Sequence, residues 1–454
     1  MRLQGARGLV VLFLLSLPLV TPRIRGADEI EYFAYLRSLA FDGDLDFANE
    51  YRYFHDRDPQ GLAGFRETFL ERREPLTGRP INFAPLGSAL LWSPFYLTAH
   101  ASVLAMRAAG STLPADGYSW PYEAAACYGS AVFGLLGLLL THAALRRFGG
   151  YAEPAATWAV VGVWMGTPLL YYMTVAPGFS HASSLFAVAL VVWLSLRLQQ
   201  TASGGVAGWA AVGAATGLAA LVREQDGLFI AIPAAVLALQ TLQARRWWEG
   251  LARAVALGAT AFAVFSPQLV AYHALNGTFG PSRMVARKMS YTSPHFLEVL
   301  FDPGHGLFVW SPLLLLATLG LAARAVRRET PAVVLGLGLL LQVWINGSLE
   351  SWTQAGAFGS RRFIGATPVF AWGLAALLVP LLGRFRQAAI AAALAVFVWW
   401  NVSLMVQFGL RLMDRQRLEW PRVAVNQVRE VPRHFGRAAW LFLTDRERLV
   451  KEGP

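Results

Sequence analysis

The feature that most constrains this chain is a recurrence of apolar runs long enough to cross a bilayer. They fall at about Leu9–Val20, Tyr122–Leu145, Ala155–Val175, Ala182–Leu196, Trp209–Val222 and Gly227–Leu242. They continue at Leu251–Leu275, Leu307–Ala323, Ala332–Ile345, Ile364–Leu382 and Ala388–Phe408. A helix of roughly 20 apolar residues spans the hydrocarbon core, so about eleven such runs predict an all-α polytopic transmembrane bundle. Composition agrees, being 55% hydrophobic and 15% charged, against about 25% charged in a soluble domain. The expected organisation is one transmembrane domain over 1–409 followed by a basic tail over 410–454. The single cysteine, Cys127, lies inside an apolar run. It excludes an intramolecular disulfide and reads as a small core hydrophobe.

The net charge of +11 comes almost wholly from arginine, since the only lysines are Lys288 and Lys451. Many of these arginines sit in short loops between apolar runs, which is how a membrane protein sets its orientation. No basic module points to nucleic acid. Arg2 and Arg7 precede the first run, and Pro22, Arg23 and Arg25 replace a small-x-small cleavage site. That reads as an uncleaved first span with a cytoplasmic N-terminus.

Parity decides how to treat Ile81–Met106. If this stretch does not cross, Arg146/Arg147, Arg197, Arg245/Arg246, Arg324/Arg327/Arg328 and Arg384/Arg386 all fall in the cytoplasm. Counting it as a span puts every one of them outside. With Pro85 and Pro94 it reads as a broken, re-entrant or interfacial element near 81–106, inside a first outer loop of 23–119. One piece does not fit. The tail carries Arg411, Arg415, Arg417, Arg422, Arg429, Arg433 and Arg437, yet parity places it outside. Either the last run is not a simple span, or the tail lies along anionic headgroups.

In this topology the chemistry collects on the outer face. A charged group at membrane depth costs about 2.5–3.5 kcal/mol, so those retained near span ends are functional candidates. Asp28-Glu29-Ile30-Glu31-Tyr32 follows the first span, where neighbouring carboxylates can act as general bases. The alternative is an ordinary acidic stretch pairing with Arg23 and Arg25. His181, in the turn Gly178-Phe179-Ser180-His181, is a candidate for a metal or a phosphate, or else a buried histidine satisfied by backbone. Arg223, before Glu224 and Asp226, could hold a phosphate through two hydrogen bonds or close a local ion pair. Arg361 and Arg362 follow a Gly-Ser turn and could bind phosphate or pyrophosphate, or anchor to headgroups.

The Asp28-Glu29 pair with Tyr32 just outside the first span resembles the signature of GT-C-type membrane glycosyltransferases. These include protein O-mannosyltransferases and the aminoarabinose and lipopolysaccharide sugar transferases. Asn82-Phe83-Ala84-Pro85-Leu86-Gly87, leading into Leu90 to Phe95, resembles the family's juxtamembrane element after the carboxylate helix. The resemblance implies a sugar donor linked to polyprenyl phosphate, an inverting transfer, and Asp28 as base with Glu29 close behind. Many family members carry an Asp in the turn where this chain has His181, so a divalent metal is an open expectation. The acceptor, whether glycan, lipid or protein, is not specified. The expected setting is the bacterial inner membrane with the site on the periplasmic side. The competing readings are a transporter or flippase of a lipid-linked sugar, which should show inverted repeats, and a non-catalytic envelope-assembly protein.

Overall fold

The computed structural model describes residues 5–62, 64–201, 204–446, 448 and 449. Helices dominate, with isolated bridges at Arg73–Pro80 and Met289–Leu349. The first half contains α1 (Gly5–Ser16), α2 (Ala27–Arg37), α3 (Ala48–Arg57), α4 (Gly87–Ala108) and α5 (Trp120–Arg147). Next come α6 (Glu153–Met165), α7 (Leu169–Thr174), α8 (His181–Gln200), α9 (Gly205–Val222), α10 (Ala231–Ala244) and α11 (Trp247–Asn276). Three short helices follow, α12 (Arg283–Ala286), α13 (Phe296–Phe301) and α14 (Leu307–Trp310). The chain then runs through α15 (Pro312–Val326), α16 (Thr330–Gly347), α17 (Thr367–Arg384), α18 (Gln387–Gly409), α19 (Trp420–Val428) and α20 (Glu430–Thr444).

Among the described residues nine helices are long and apolar enough to cross a membrane, with shorter apolar helices at Gly5–Leu19 and Pro312–Val326. This is an integral, multi-pass, all-α membrane protein. Lipid offers no hydrophobic drive for helices to associate, so they pack through small residues. A Cβ on Gly213 of α9 would stand 2.2 Å from Leu257 O of α11, and one on Gly217 would stand 2.4 Å from Ala261 O. Only hydrogen fits at those two positions.

Three stretches behave differently from their sequence reading, the first being the run expected at Leu307–Ala323, which is divided at Ser311 into α14 and α15. The run expected at Ala155–Val175 is interrupted between α6 and α7. Pro168 has no N–H to continue the helix, and Asn401 of α18 donates to the freed carbonyl of Met165 at 2.9 Å and to that of Thr167, which Leu170 N also reaches, at 2.8 Å. The stretch at 81–106 was expected to break at its prolines, yet α4 runs through Pro94 without interruption. Pro94 removes the hydrogen bond to Leu90 O, and Ser93 Oγ donates to that carbonyl instead at 2.8 Å.

α4 packs on Tyr32 and Phe33 of α2, Leu221 and Val222 at the end of α9, Ser183 in the first turn of α8, and Tyr122 to Phe133 in the first half of α5.

The ends of the bundle separate cleanly. Gly5–Thr157, Arg146–Glu153, Gln200–Phe148, Gln240–Leu198 and Arg324–Glu329 join loops at one end. Thr21–Thr174, Glu29–Gly178, Ser180–Arg223, Gln225–Arg362 and Leu418–Pro303 join loops at the other. The tail belongs to the second end. Arg446 donates to the carbonyls of Pro18 and Val20 at 2.8 Å each, where the first span finishes. The last run, α18, is a plain 23-residue helix.

Candidate functional site

The site starts from α2. Gly26 begins this helix, and Asp28 and Glu29 occupy its first turn, where negative charge suits the exposed N–H groups. Glu29 is 3% exposed. Its Oε2 accepts from the N–H groups of Arg25 (2.9 Å) and Gly26 (2.8 Å), and its Oε1 from that of Gly178 (3.1 Å). Burial pushes its carboxyl up to about 7 against the pull of those N–H groups. Glu29 thus ties the start of α2 to the turn before α8.

Asp28 faces the other way. Its side chain is 42% exposed, and Oδ2 accepts from Arg361 Nη1 at 2.8 Å. The Arg361 guanidinium, 18% exposed, also lies 5.1 Å from the centre of the Phe179 ring. Arg361 is delivered by a sharp turn. Gly359 has φ +61, and a Cβ there would stand 2.4 Å from Pro168 Cγ. Glycine is required on both counts. Phe358 N donates to Tyr172 Oη at 3.2 Å and its ring stacks on Tyr171, which fixes the approach to that turn.

Arg223 enters from the end of α9. Its Nη1 donates to Ser180 Oγ at 3.2 Å and to His181 Nδ1 at 3.3 Å, and Ser180 Oγ donates to Tyr32 Oη at 2.9 Å. With Nδ1 accepting, the His181 proton resides on Nε2. That Nε2 is buried and has no partner, and the ring is held by Tyr172 and Phe179. Neither Glu224 nor Asp226 pairs with Arg223; Asp226 instead accepts from Ser184 at 2.5 Å. Arg362 holds the loop before it, donating from Nη1 to Ser351 O at 3.1 Å, while Gln225 donates to Arg362 O at 2.8 Å.

Glu31, one turn along α2, accepts from Phe83 N at 2.5 Å, and Asn82 donates to Glu31 O at 3.1 Å. Burial first, and then the charge of Asp28, hold the Glu31 carboxyl well above the usual range. A cavity of about 270 Å³ opens beside the first turn of α2, lined by Gly26, Ala27, Leu62, Phe65 and Phe69. Arg23 and Arg25 do not neutralise the acidic stretch. Arg23 pairs at 3.4 Å with Glu123, which Arg57 also grips at 2.6 Å.

No protein-family model and no curated protein matches the sequence. Among solved structures the chain is similar to the crystal structure of ArnT from Cupriavidus metallidurans bound to undecaprenyl phosphate. The TM-score is 0.50 and the identity 18%, over 97% of this chain and 76% of that one. The fold is that of the GT-C-type membrane glycosyltransferases. A second similar structure is the archaeal oligosaccharyltransferase AglB from Archaeoglobus fulgidus in complex with an inhibitory peptide and a dolichol-phosphate. There the TM-score is 0.48 and the identity 12%, over 98% of this chain and 59% of that one.

Within this GT-C-type bundle Asp28, His181, Arg223, Arg361 and Arg362 come together at one end, from four separate stretches of chain. Glu29 is adjacent but turned inward. Tyr32, the tyrosine of the sequence signature, joins them, as do Ser180 and Gln225, which were not singled out in the sequence. Helical spacing places Asp28, Glu31, Tyr32 and Tyr35 on one face of α2, which is why Tyr32 accompanies Asp28. A divalent cation does not fit around His181. The nearest charged groups are guanidinium groups, and among the described residues no three His, Cys, Asp or Glu side chains gather as ligands.

Proposed function

We propose that this protein transfers a sugar from a polyprenyl-phosphate-linked donor to an acceptor at the extracytoplasmic face of a bacterial inner membrane. The observation that carries this reading is the pairing of half-exposed Asp28 with Arg361, beside Arg223 and a free His181 N–H. A carboxylate able to take a proton thus adjoins donors able to hold an anion. The similar ArnT structure is bound to undecaprenyl phosphate, which supports a lipid phosphate as the group held here.

The lipid phosphate engages Arg361 and competes with Asp28 for that guanidinium, which frees the carboxylate. Asp28 takes the proton of an acceptor hydroxyl as its oxygen attacks the anomeric carbon. The new O–C bond forms opposite the breaking C–O bond, so the configuration inverts. The electron pair of the broken bond stays on the phosphate oxygen, and polyprenyl phosphate leaves. Arg361, Arg223 and His181 Nε2–H stabilise the charge that builds there, each well-placed donor contributing about 3–4 kcal/mol. Arg362 positions this loop through Ser351. Glu29 fixes α2 and is a positioning residue.

The test is turnover of defined polyprenyl-phosphate sugars by the purified, lipid-reconstituted protein, following polyprenyl phosphate released. Asp28→Asn lowers the rate by roughly 10²–10⁴-fold with insertion unchanged. Wild-type turnover by that variant would remove Asp28 from the mechanism. No turnover of any donor by the wild-type protein would remove the function.

A further inference from the structure

The polar face of α2 extends beyond Asp28. Asp28, Glu31 and Tyr35 follow one another along the helix, covering about 10 Å at 1.5 Å per residue. Arg361 stands at one end of that stripe. At the other, Tyr35 is fully buried and its Oη has no hydrogen-bond partner. Gln268 of α11 is also fully buried. Its Oε1 accepts from Leu86 N at 2.7 Å, and its Nε2 makes no well-formed hydrogen bond, although the amide lies within reach of the Tyr35 phenol. Ser88 Oγ, one residue into α4, is likewise buried and unpartnered.

Buried polar atoms left unpaired in this way cost about 1–3 kcal/mol each, so a group of them marks a place where a polar ligand belongs. Gly87 packs directly on Leu221 and Val222, which brings the end of α9 to the same spot. Two residues later comes Glu224, exposed and with no hydrogen bond or ion pair among the described residues. The Tyr35 phenol responds to this surrounding. Burial, then the charge of Glu31, and to a smaller degree that of Glu224, hold it above its ordinary range, while Gln268 lies near enough to offset part of the rise.

We propose that Tyr35, Gln268 and Glu224 form a carbohydrate subsite, which takes the hydroxyl groups of a sugar whose linkage lies at Asp28. The donor set matches that chemistry. A carboxylate accepts from two neighbouring hydroxyls, an amide N–H donates to a third oxygen, and a phenol does either. The reach along α2 is what one monosaccharide and its linkage cover. The subsite rests on the transfer reading above, and its sugar belongs either to the lipid-linked donor or to a glycan acceptor.

Binding measurements on the full chain in nanodiscs separate these cases. The probes are undecaprenyl phosphate, undecaprenyl phosphate bearing glucose, mannose or galactose, and the methyl glycosides of those hexoses. The expected result is that one hexose-bearing lipid binds wild-type protein about tenfold tighter than the bare lipid, as for one hydrogen bond to a charged group. Glu224→Gln and Tyr35→Phe remove that advantage and leave bare-lipid affinity unchanged. Glu224→Gln, at an exposed position, guards against misfolding. A loss confined to a methyl glycoside supports the same subsite with the acceptor as source. Equal binding of bare and glycosylated lipids, with no glycoside bound, overturns the subsite and leaves phosphate recognition standing. Failure of every lipid to bind overturns the transfer reading and the subsite together.

Discussion

Asp28 and Glu29 are adjacent and chemically alike, yet a helical turn of 100° separates their fates. Asp28 points toward Arg361 and open space, and Glu29 points into backbone N–H groups. For Glu29 this has a pH consequence. Its folded carboxyl titrates at about 7, above the ordinary 4.5, because burial outweighs its hydrogen bonds. The fold therefore binds the proton more tightly than the unfolded chain does. This contribution is fully present below about pH 4.5 and is lost as pH rises through 7. Glu50, also buried and pushed up to about 7, adds with the same sign. The thermal midpoint of the detergent-solubilised protein is expected to fall between pH 4.5 and 7, and Glu29→Gln to flatten part of that slope. An unaltered slope would contradict the burial of Glu29. A second prediction concerns Gly359. Gly359→Ala adds a Cβ against Pro168 and strains a positive φ, moving Arg361 off Asp28. Lipid-phosphate binding by this variant should drop at least tenfold, roughly one charge-assisted hydrogen bond. Asp28, Arg223 and Arg361 were legible in the sequence because charge held at a span end needs a reason. The inward turn of Glu29 was not, since adjacency does not say which carboxylate faces the core. Nor was the Ser180–Tyr32 bond, which links positions 148 residues apart with no spacing to signal it.

Two helices in this chain, α4 and α11, survive an internal proline by the same local device. Ser93 donates to Leu90 O ahead of Pro94, and Ser266 donates to Ala263 O ahead of Pro267, each at 2.8 Å. In both cases the serine supplies the hydrogen that the proline lacks. This explains why α4 was misread as broken: the proline was visible, while the rescue depends on a side-chain rotamer. The reverse holds at Pro168, where the preceding Thr167 bonds Val163 O and the chain opens between α6 and α7. The remedy there comes from α18, 234 residues on, through Asn401, and short-range pattern carries no trace of it. Asn401→Leu leaves the Met165 carbonyl unsatisfied in a buried setting, whereas Thr167 O keeps its bond from Leu170 N. A loss of about 1–3 kcal/mol for that one orphaned group is expected, read as a lower thermal midpoint. An equal midpoint would mean that lipid or water satisfies the Met165 carbonyl instead. The positions of the apolar runs were legible to within about four residues, apart from the two runs that the fold divides, because a bilayer dictates both their length and their composition.

The whole molecule depends on having one chemical end. Alternating arginine clusters led to that expectation, and the contacts agree from both directions. Loops carrying Arg146 and Arg324 close on one another at one end, while those carrying Asp28, Arg223 and Arg361 close at the other. The basic tail, which parity alone could not accommodate, packs beside the end of the first span through Arg446. Its position at the Asp28 end follows. Exposed Val428, Trp440 and Leu443 lie on the same two helices as Arg422, Arg433 and Arg437, the composition of a segment lying in a headgroup layer. Sidedness can be tested directly, because Cys127 is the single cysteine and is buried. On a Cys127→Ala background, single cysteines at the exposed positions Glu298 and Arg417 belong to the Asp28 end, and those at Arg246 and Arg327 to the opposite end. An impermeant maleimide applied to intact spheroplasts should label the first two within minutes and the second two only after lysis. Labelling of Arg417→Cys together with Arg327→Cys from the same side would break the parity that assigns Asp28 to the outer face. It would leave the pairing of Asp28 with Arg361 intact, so the chemistry would keep its residues and lose its side of the membrane.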